Sequence, residues 1–189
     1  VEAKAKEVST EAEKAYASVV NKLGLAPQGK TTLKLFADQE LLRQNTDIRV
    51  AYLFNGWAED GESIKLYGFR EKEVFAGVIA HELTHALQDQ NFDIDKFTER
   101  IEGNSDRVYA RQALVEGEAT LIMMADALRS TGGDMDPADF DLDLDGPMGQ
   151  LMNALTATQM PAYAGTPRAI QELLLFPYAK GLRFVSFGK

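Results

Sequence analysis

The stretch Glu71-Lys72-Glu73-Val74-Phe75-Ala76-Gly77-Val78-Ile79-Ala80-His81-Glu82-Leu83-Thr84-His85-Ala86-Leu87-Gln88-Asp89 decides how this chain reads. It runs without proline and with one glycine, so residues 71–89 are expected as a long helix. The lead-in Val74, Phe75, Val78 and Ile79 marks that helix as buried. The chain's two histidines both lie in it, four residues apart. At 3.6 residues per turn, positions i and i+4 project from one face about one turn apart. Two imidazoles so placed can reach one tetrahedral Zn²⁺ at roughly 2.0–2.1 Å. Glu82 follows the first of them, where its carboxylate can approach a water on the metal and act as general base. Two buried imidazoles without a metal would need polar partners instead.

Composition narrows the rest. The chain has 189 residues, 29 acids against 20 bases, and no cysteine. This length suits a single domain, expected over residues 1–189, with ample chain for a core. Zero cysteine excludes a disulfide scaffold, a thiol nucleophile and every Cys-ligated metal site. The formal charge of −9 gives no basic field to attract phosphates, so nucleic acid is not the expected partner. Six of those charges are the Asp of residues 132–147, which leaves 23 acids against 20 bases elsewhere. The acidity therefore describes a loop rather than a substrate preference. No apolar run approaches the roughly twenty residues of a bilayer span. The chain opens on Val1 with neither Met nor an apolar leader, which reads as a mature or trimmed chain and favours a secreted or cell-envelope location over the cytoplasm.

Outward from the central helix, the chain reads as α+β: mostly helical, with a small sheet or hairpin preceding the histidine-bearing helix. Residues 2–23, rich in Ala, Glu and Lys, form a first helix with Val8, Ala12, Ala15, Val19 and Leu23 on its apolar side. A second short helix is preferred from Thr31 or Thr32, with a strand over Thr31 to Phe36 as the alternative. Ile48 to Phe54 and Ile64 to Tyr67, around the turn chemistry of residues 55–61, read as a β-hairpin. A long helix over 105–129 is capped at Asn104 or Ser105 and stops at Gly132-Gly133. Pro147 and Pro167 suit the first turns of two further helices. The chain ends on Leu182, Phe184, Val185 and Phe187, an apolar segment that looks like a helix or strand cut short.

The pattern His81-Glu82-Leu83-Thr84-His85 resembles the zincin metallopeptidases. In the metzincin branch a Gly and a His would stand at positions 88 and 91; here these are Gln88 and Asn91. The Leu114-Val115-Glu116-Gly117-Glu118-Ala119-Thr120 run is similar to the segment in which gluzincins supply a glutamate ligand, and the whole string resembles a group of poorly characterised bacterial metallopeptidases. The resemblance implies one Zn²⁺ held by His81, His85 and Glu116, with Glu82 as catalytic base and a peptide or protein as substrate. Glu118, about 200° round the helix from Glu116, is the lesser candidate. Small residues at Gly117 and Ala119 would let this helix pack close against the histidine-bearing one.

Many gluzincins place an acid four residues beyond the ligand to orient a histidine; here that position holds Thr120. Asp89, one turn beyond His85, is a substitute, or it simply bonds nearby backbone. For an oxyanion donor, Tyr109, Arg111, Tyr163 and Tyr178 are candidates with nothing in the sequence to separate them. A strand edge at Ile48 to Phe54 or Ile64 to Phe69 could pair with an extended peptide, or only cover the core. In the acidic stretch, Asp141, Asp143, Asp145 and Gly146 match half of a Ca²⁺ loop, but Met152 stands where the bidentate acid belongs, so Ca²⁺ is a weak second cofactor and a solvated loop the simpler reading. Besides the peptidase, two other functions fit: a catalytically idle zincin-like binding module, and a regulatory protease with a single protein substrate.

Overall fold

The computed structural model describes residues 2–36, 56–59, 63–67, 72–99, 104–133, 136 and 165–187. Over these the chain is mostly helical. Its elements are α1 (Glu2–Leu23), β1 (Thr32–Phe36), β2 (Gly56–Glu59), β3 (Ser63–Tyr67), α2 (Lys72–Phe92), α3 (Ile94–Thr98), α4 (Ser105–Ser130) and α5 (Arg168–Phe187). The helices over 2–23, 71–89 and 105–129 fall within a few residues of where periodicity and caps place them.

Helix α1 buries Val8, Ala15 and Val19, one face of a 3.6-residue repeat. They meet Ile79, Ala80, Leu83, Ala86 and Leu87 of α2 and Ile122 of α4 in the main core. Over residues 76–88 α2 is buried nearly all round, and its polar residues Glu82, Thr84, His85 and Gln88 are buried with the apolar ones. A helix central to a small domain has no solvent face to give to polar side chains, so each must find a partner there. Thr84 does so locally, its hydroxyl donating to the Ala80 carbonyl at 2.8 Å. α1 ends at Gly24, whose φ of 68° suits glycine. The loop after it is held to the end of α2: the Gln28 N–H donates to Gln90 Oε1 at 3.0 Å, Gln90 Nε2 to Thr31 Oγ1 at 3.2 Å, and Asn91 Nδ2 to the Ala26 carbonyl at 3.1 Å.

Thr32–Phe36 is a strand, not the short helix preferred from sequence. Its backbone pairs in parallel with β3, from Thr32 opposite Ser63 to Phe36 opposite Tyr67. Leu33 packs on the main core while the alternation Thr-Leu-Lys-Leu-Phe suits a pleated segment, so the long-range pairing overrides a marginal local helix preference. β2 pairs antiparallel with β3, giving the order β1-β3-β2. β2 occupies Gly56–Glu59, inside the segment expected as the hairpin turn. β3 lies between two partners, so Ile64 to Tyr67 is not a free edge; among the described strands β1 and β2 stand at the edges. Ile48 to Phe54 lies outside the described residues.

The joint between α2 and α3 is a single residue in left-handed conformation, Asp93 at φ 52° and ψ 69°, whose carboxylate accepts from the Lys96 N–H at 3.2 Å. α4 starts where expected, with Asn104 Oδ1 accepting from the Arg107 N–H at 3.0 Å. It ends at Gly132, φ 87°, with Gly133 N–H returning to the Leu128 carbonyl at 3.0 Å.

α4 and α5 cross at contact distance. A Cβ on Gly117 would fall on the backbone of Gly181, and one on Gly181 would fall on the Ala113 carbonyl. Gly117 therefore serves the contact with α5, not the close approach to α2 expected from sequence. That approach is made from the other side, where Gly77 of α2 faces Met123 and Ala127 of α4. α5 begins directly after Pro167, whose carbonyl accepts from Ile170 N and Gln171 N, and it continues through Pro177. Pro177, Gly181, Leu182 and Val185 form its buried face, and the last two pack with Leu121 in a second core. The C-terminal apolar segment is thus helical, with Leu182 and Val185 on the buried face and Phe184 and Phe187 exposed. The Pro147 helix lies outside the described residues.

One ionic cluster ties α1 to α4. Arg129 donates from Nε to Asp126 Oδ1 at 2.6 Å and from Nη2 to Asp126 Oδ2 at 3.0 Å and Glu11 Oε1 at 2.8 Å. Asp126 is fully buried and Glu11 nearly so. The paired carboxylates, opposing partial burial, hold the Arg129 guanidinium further above its already high pKa. Removing the cation would strand the fully buried Asp126 and leave Glu11 with only the longer Lys14 contact at 3.8 Å, so Arg129→Ala is expected to cost about 3 kcal/mol in chemical denaturation at neutral pH. A loss within about 0.5 kcal/mol, the range of ordinary surface changes, would show the cluster to be decorative.

Candidate metal centre

His81 and His85 sit on consecutive turns of α2, and Glu116 faces them from the middle of α4. Their donor atoms converge: His81 Nε2 and His85 Nε2 are 3.0 Å apart, and Glu116 Oε2 is 3.3 Å from each. Donors at roughly 2.0–2.1 Å around a tetrahedral ion stand about 3.3 Å from one another. The triangle therefore has nearly the edge lengths of one face of such a shell. The rings meet edge to face, centroids 4.6 Å apart, as two side chains aimed at one point must. His81, His85 and Glu116 thus form a group that could hold a metal ion.

In the protein without an ion, the cluster holds itself together by charge. Burial lowers the basicity of His85, but the Glu116 carboxylate opposes it more strongly, and the imidazole is raised from 6.5 to about 9. Burial likewise opposes the Glu116 charge, and the two histidines overcome it, holding the carboxyl well below its ordinary range. The raised His85 pKa stabilises the metal-free fold fully below about pH 6.5 and ceases to do so as pH rises through about 9. A metal must displace that proton. Metal uptake at pH 7 is expected to release about one proton, and apparent affinity to rise with pH until about 9. Calorimetry in two buffers of different ionisation enthalpy checks this; proton-neutral uptake at pH 7 would contradict the His85–Glu116 coupling.

The surroundings of the three residues differ from expectation. Asp89 does not orient His85: its Oδ1 accepts from the Ile94 N–H at 3.0 Å, capping α3. Partial burial raises its pKa, the Ile94 bond opposing, and nearby Asp95 and Asp93 adding to the rise. The His85 partner is Gln88, whose Oε1 lies 3.0 Å from Nδ1. Gln88 in turn donates from Nε2 to Glu118 Oε2 at 2.9 Å and to the Val115 carbonyl at 3.3 Å. Glu118 is therefore tied to the Gln88 amide and is outside the ligand group. Thr120, at the position where many gluzincins hold an acid, turns its hydroxyl onto the Glu116 carbonyl at 2.7 Å. The role of Gln88 is not among the sequence expectations, although one signal for it exists: a polar residue one turn beyond His85 on a helix otherwise expected to be buried.

Glu82 is 8 % exposed, and its charge is felt at both His85 and Tyr178. Of the oxyanion candidates among the described residues, Tyr178 stands beside the cluster, its ring stacked on His81 with centroids 6.1 Å apart and planes at 28°. Burial first, then the Glu116 and Glu82 carboxylates, push its hydroxyl pKa up, so the phenol stays a proton donor. Tyr109 packs against Phe176, and Arg111 donates to the Phe97 carbonyl at 2.9 Å with its guanidinium over the Phe97 ring. Tyr163 and the Asp141, Asp143, Asp145 and Gly146 segment lie outside the described residues. No described helix is long and apolar enough to cross a membrane. Comparison of the chain with protein families, curated proteins and solved structures finds no match.

Proposed function

We propose that this chain is a zinc-dependent metallohydrolase of gluzincin type, most simply a peptidase, with His81, His85 and Glu116 as ligands and Glu82 as general base. The observation that carries the reading is the triangle of three donor atoms at 3.0–3.3 Å, drawn from two helices and matching the edge of a tetrahedral shell. Two imidazoles and one carboxylate leave the fourth position to a water or substrate, the donor set of catalytic rather than structural zinc.

When bound, the ion polarises a carbonyl and acidifies a water molecule. Glu82, next to His81 and largely withdrawn from solvent, offers a carboxylate to take the proton of the attacking water and pass it to the leaving amine. The Tyr178 hydroxyl supplies a donor for the substrate carbonyl oxygen as negative charge develops there. Three short paired strands ahead of α2 are compatible with the small sheet of a zincin, with β2 as the antiparallel edge next to the site helix. An extended peptide could add to such an edge.

Metal analysis of protein purified without chelator tests the reading. About one zinc per chain is expected, lost in His81→Ala, since two remaining donors hold the ion poorly. Metal-free protein that folds normally and takes up no added zinc would remove the reading.

A further inference from the structure

The geometry points to Gln88 and Glu118 as a positioning relay that selects which nitrogen of His85 faces the metal. The inference rests on the zinc reading above for its functional meaning, though not for its geometry. An amide side chain can be placed either way round, and here its surroundings choose. One end of Gln88 faces Glu118 Oε2 at 2.9 Å and the Val115 carbonyl at 3.3 Å. Both are acceptors, so that end must be the NH₂, and the oxygen must face His85 Nδ1 at 3.0 Å. A carbonyl oxygen accepts only; Nδ1 must therefore carry the hydrogen. The lone pair of the neutral ring is then left on Nε2, the atom that converges with His81 and Glu116.

Glu118 thus acts two residues beyond the ligand Glu116 on the same helix, from a different side of it. Gln88 is 4 % exposed, so water cannot readily replace any of its three bonds. Thr120 offers the ring nothing, because its hydroxyl is spent on the Glu116 carbonyl at 2.7 Å. An amide in place of a carboxylate orients the imidazole without adding a second negative charge directly against it. The carboxylate is kept one residue further out, where it orients the amide instead.

Zinc affinity measured by competition with a chromogenic chelator tests the relay. Gln88→Met keeps the volume, loses the acceptor, and is expected to weaken zinc binding about 10–100-fold. Gln88→Glu alone sets two carboxylates against each other and should also weaken it. The exchange Gln88→Glu with Glu118→Gln restores one acceptor toward His85 and one donor between the helices while giving up the bond to the Val115 carbonyl, and is expected to regain most of the affinity that Gln88→Glu alone loses. A role in packing alone would not be rescued by the exchange. Long-range ¹H–¹⁵N spectra of metal-free protein, taken at a pH where the spectrum itself shows the His85 ring to be neutral, should show the Nδ1–H tautomer in the parent and exchanged chains. Unchanged affinity in Gln88→Met, or an Nε2–H tautomer in the parent chain, would overturn the relay. A parent chain that binds no zinc would remove the metal reading, while the metal-free spectrum would still decide the relay.

Discussion

On the zinc-hydrolase proposal, Glu82→Gln is expected to bind zinc and melt like the parent while losing hydrolysis by about 10²–10⁴-fold, the usual contribution of a positioned general base. The substitution is isosteric and exchanges a carboxylate for an amide that cannot take a proton. Glu82 lies between a ligand and the apolar side of α2 and is 8 % exposed, so the change falls on chemistry rather than on a solvated surface. Loss of its charge removes one of the carboxylates felt at His85, behind the stronger Glu116 contribution, so the metal-free imidazole should remain basic. Cleavage of a mixed peptide library by parent and variant reads the result whatever the natural substrate is. Equal cleavage by both would sink the general-base assignment. Zinc-loaded parent protein that cleaves nothing in such a library, or in a complete protein mixture, would favour the idle binding module over the peptidase.

The parts of this site that were legible from sequence are those where one residue type at one spacing carries the chemistry. His81 and His85 at i and i+4 on an apolar helix admit few arrangements other than convergence, and the structure brings their Nε2 atoms to 3.0 Å. Glu116 was reachable only through the likeness of its segment to the run in which gluzincins supply a glutamate, and it stands 3.3 Å from both rings. The helix ends were legible for a similar reason: Asn104, Gly24 and Gly132 act through local backbone geometry that the sequence states directly.

What escaped the sequence depends on which element lies opposite. Thr32–Phe36 satisfies both a helix and a strand pattern at its length, and the backbone of β3 decided between them. Asp89 and Gln88 are neighbours on α2, each within a turn of His85, and only the position of α4 puts acceptors where the Gln88 amide can bridge. Asp89 had the better chemistry for orienting a histidine, yet the tight turn into α3 left an N–H at Ile94 that needed it more. Tyr178 was one aromatic among several. Its place beside His81 follows from the α4–α5 crossing, which no local pattern encodes.

That crossing is the basis of the second large effect. On an exposed helix Gly→Ala gains up to about 1 kcal/mol in propensity. Gly117→Ala is expected to do the opposite, because the added methyl would fall on the Gly181 backbone rather than on a side chain that can turn away. Both helices would have to part, opening the second core of Leu121, Leu182 and Val185. Overpacking of this kind costs about 1–3 kcal/mol, occasionally more, and contact with backbone places this site at the upper end. For a chain of this length about 3 kcal/mol corresponds to a fall of roughly 6–12 °C in melting temperature. Gly29→Ala is the control: nothing lies within 4 Å of its Cβ position, and no shift is expected. The decisive measurement is zinc affinity in the same pair. Glu116 precedes Gly117 on α4 and Tyr178 lies one turn before Gly181 on α5, so parting the helices must move a ligand and the phenol stacked on His81 together. Gly117→Ala should therefore weaken zinc binding as well as the fold. A variant that melts early yet binds zinc like the parent would mean that α2 and α4 hold the triangle unaided, and that α5 serves the site only as a wall.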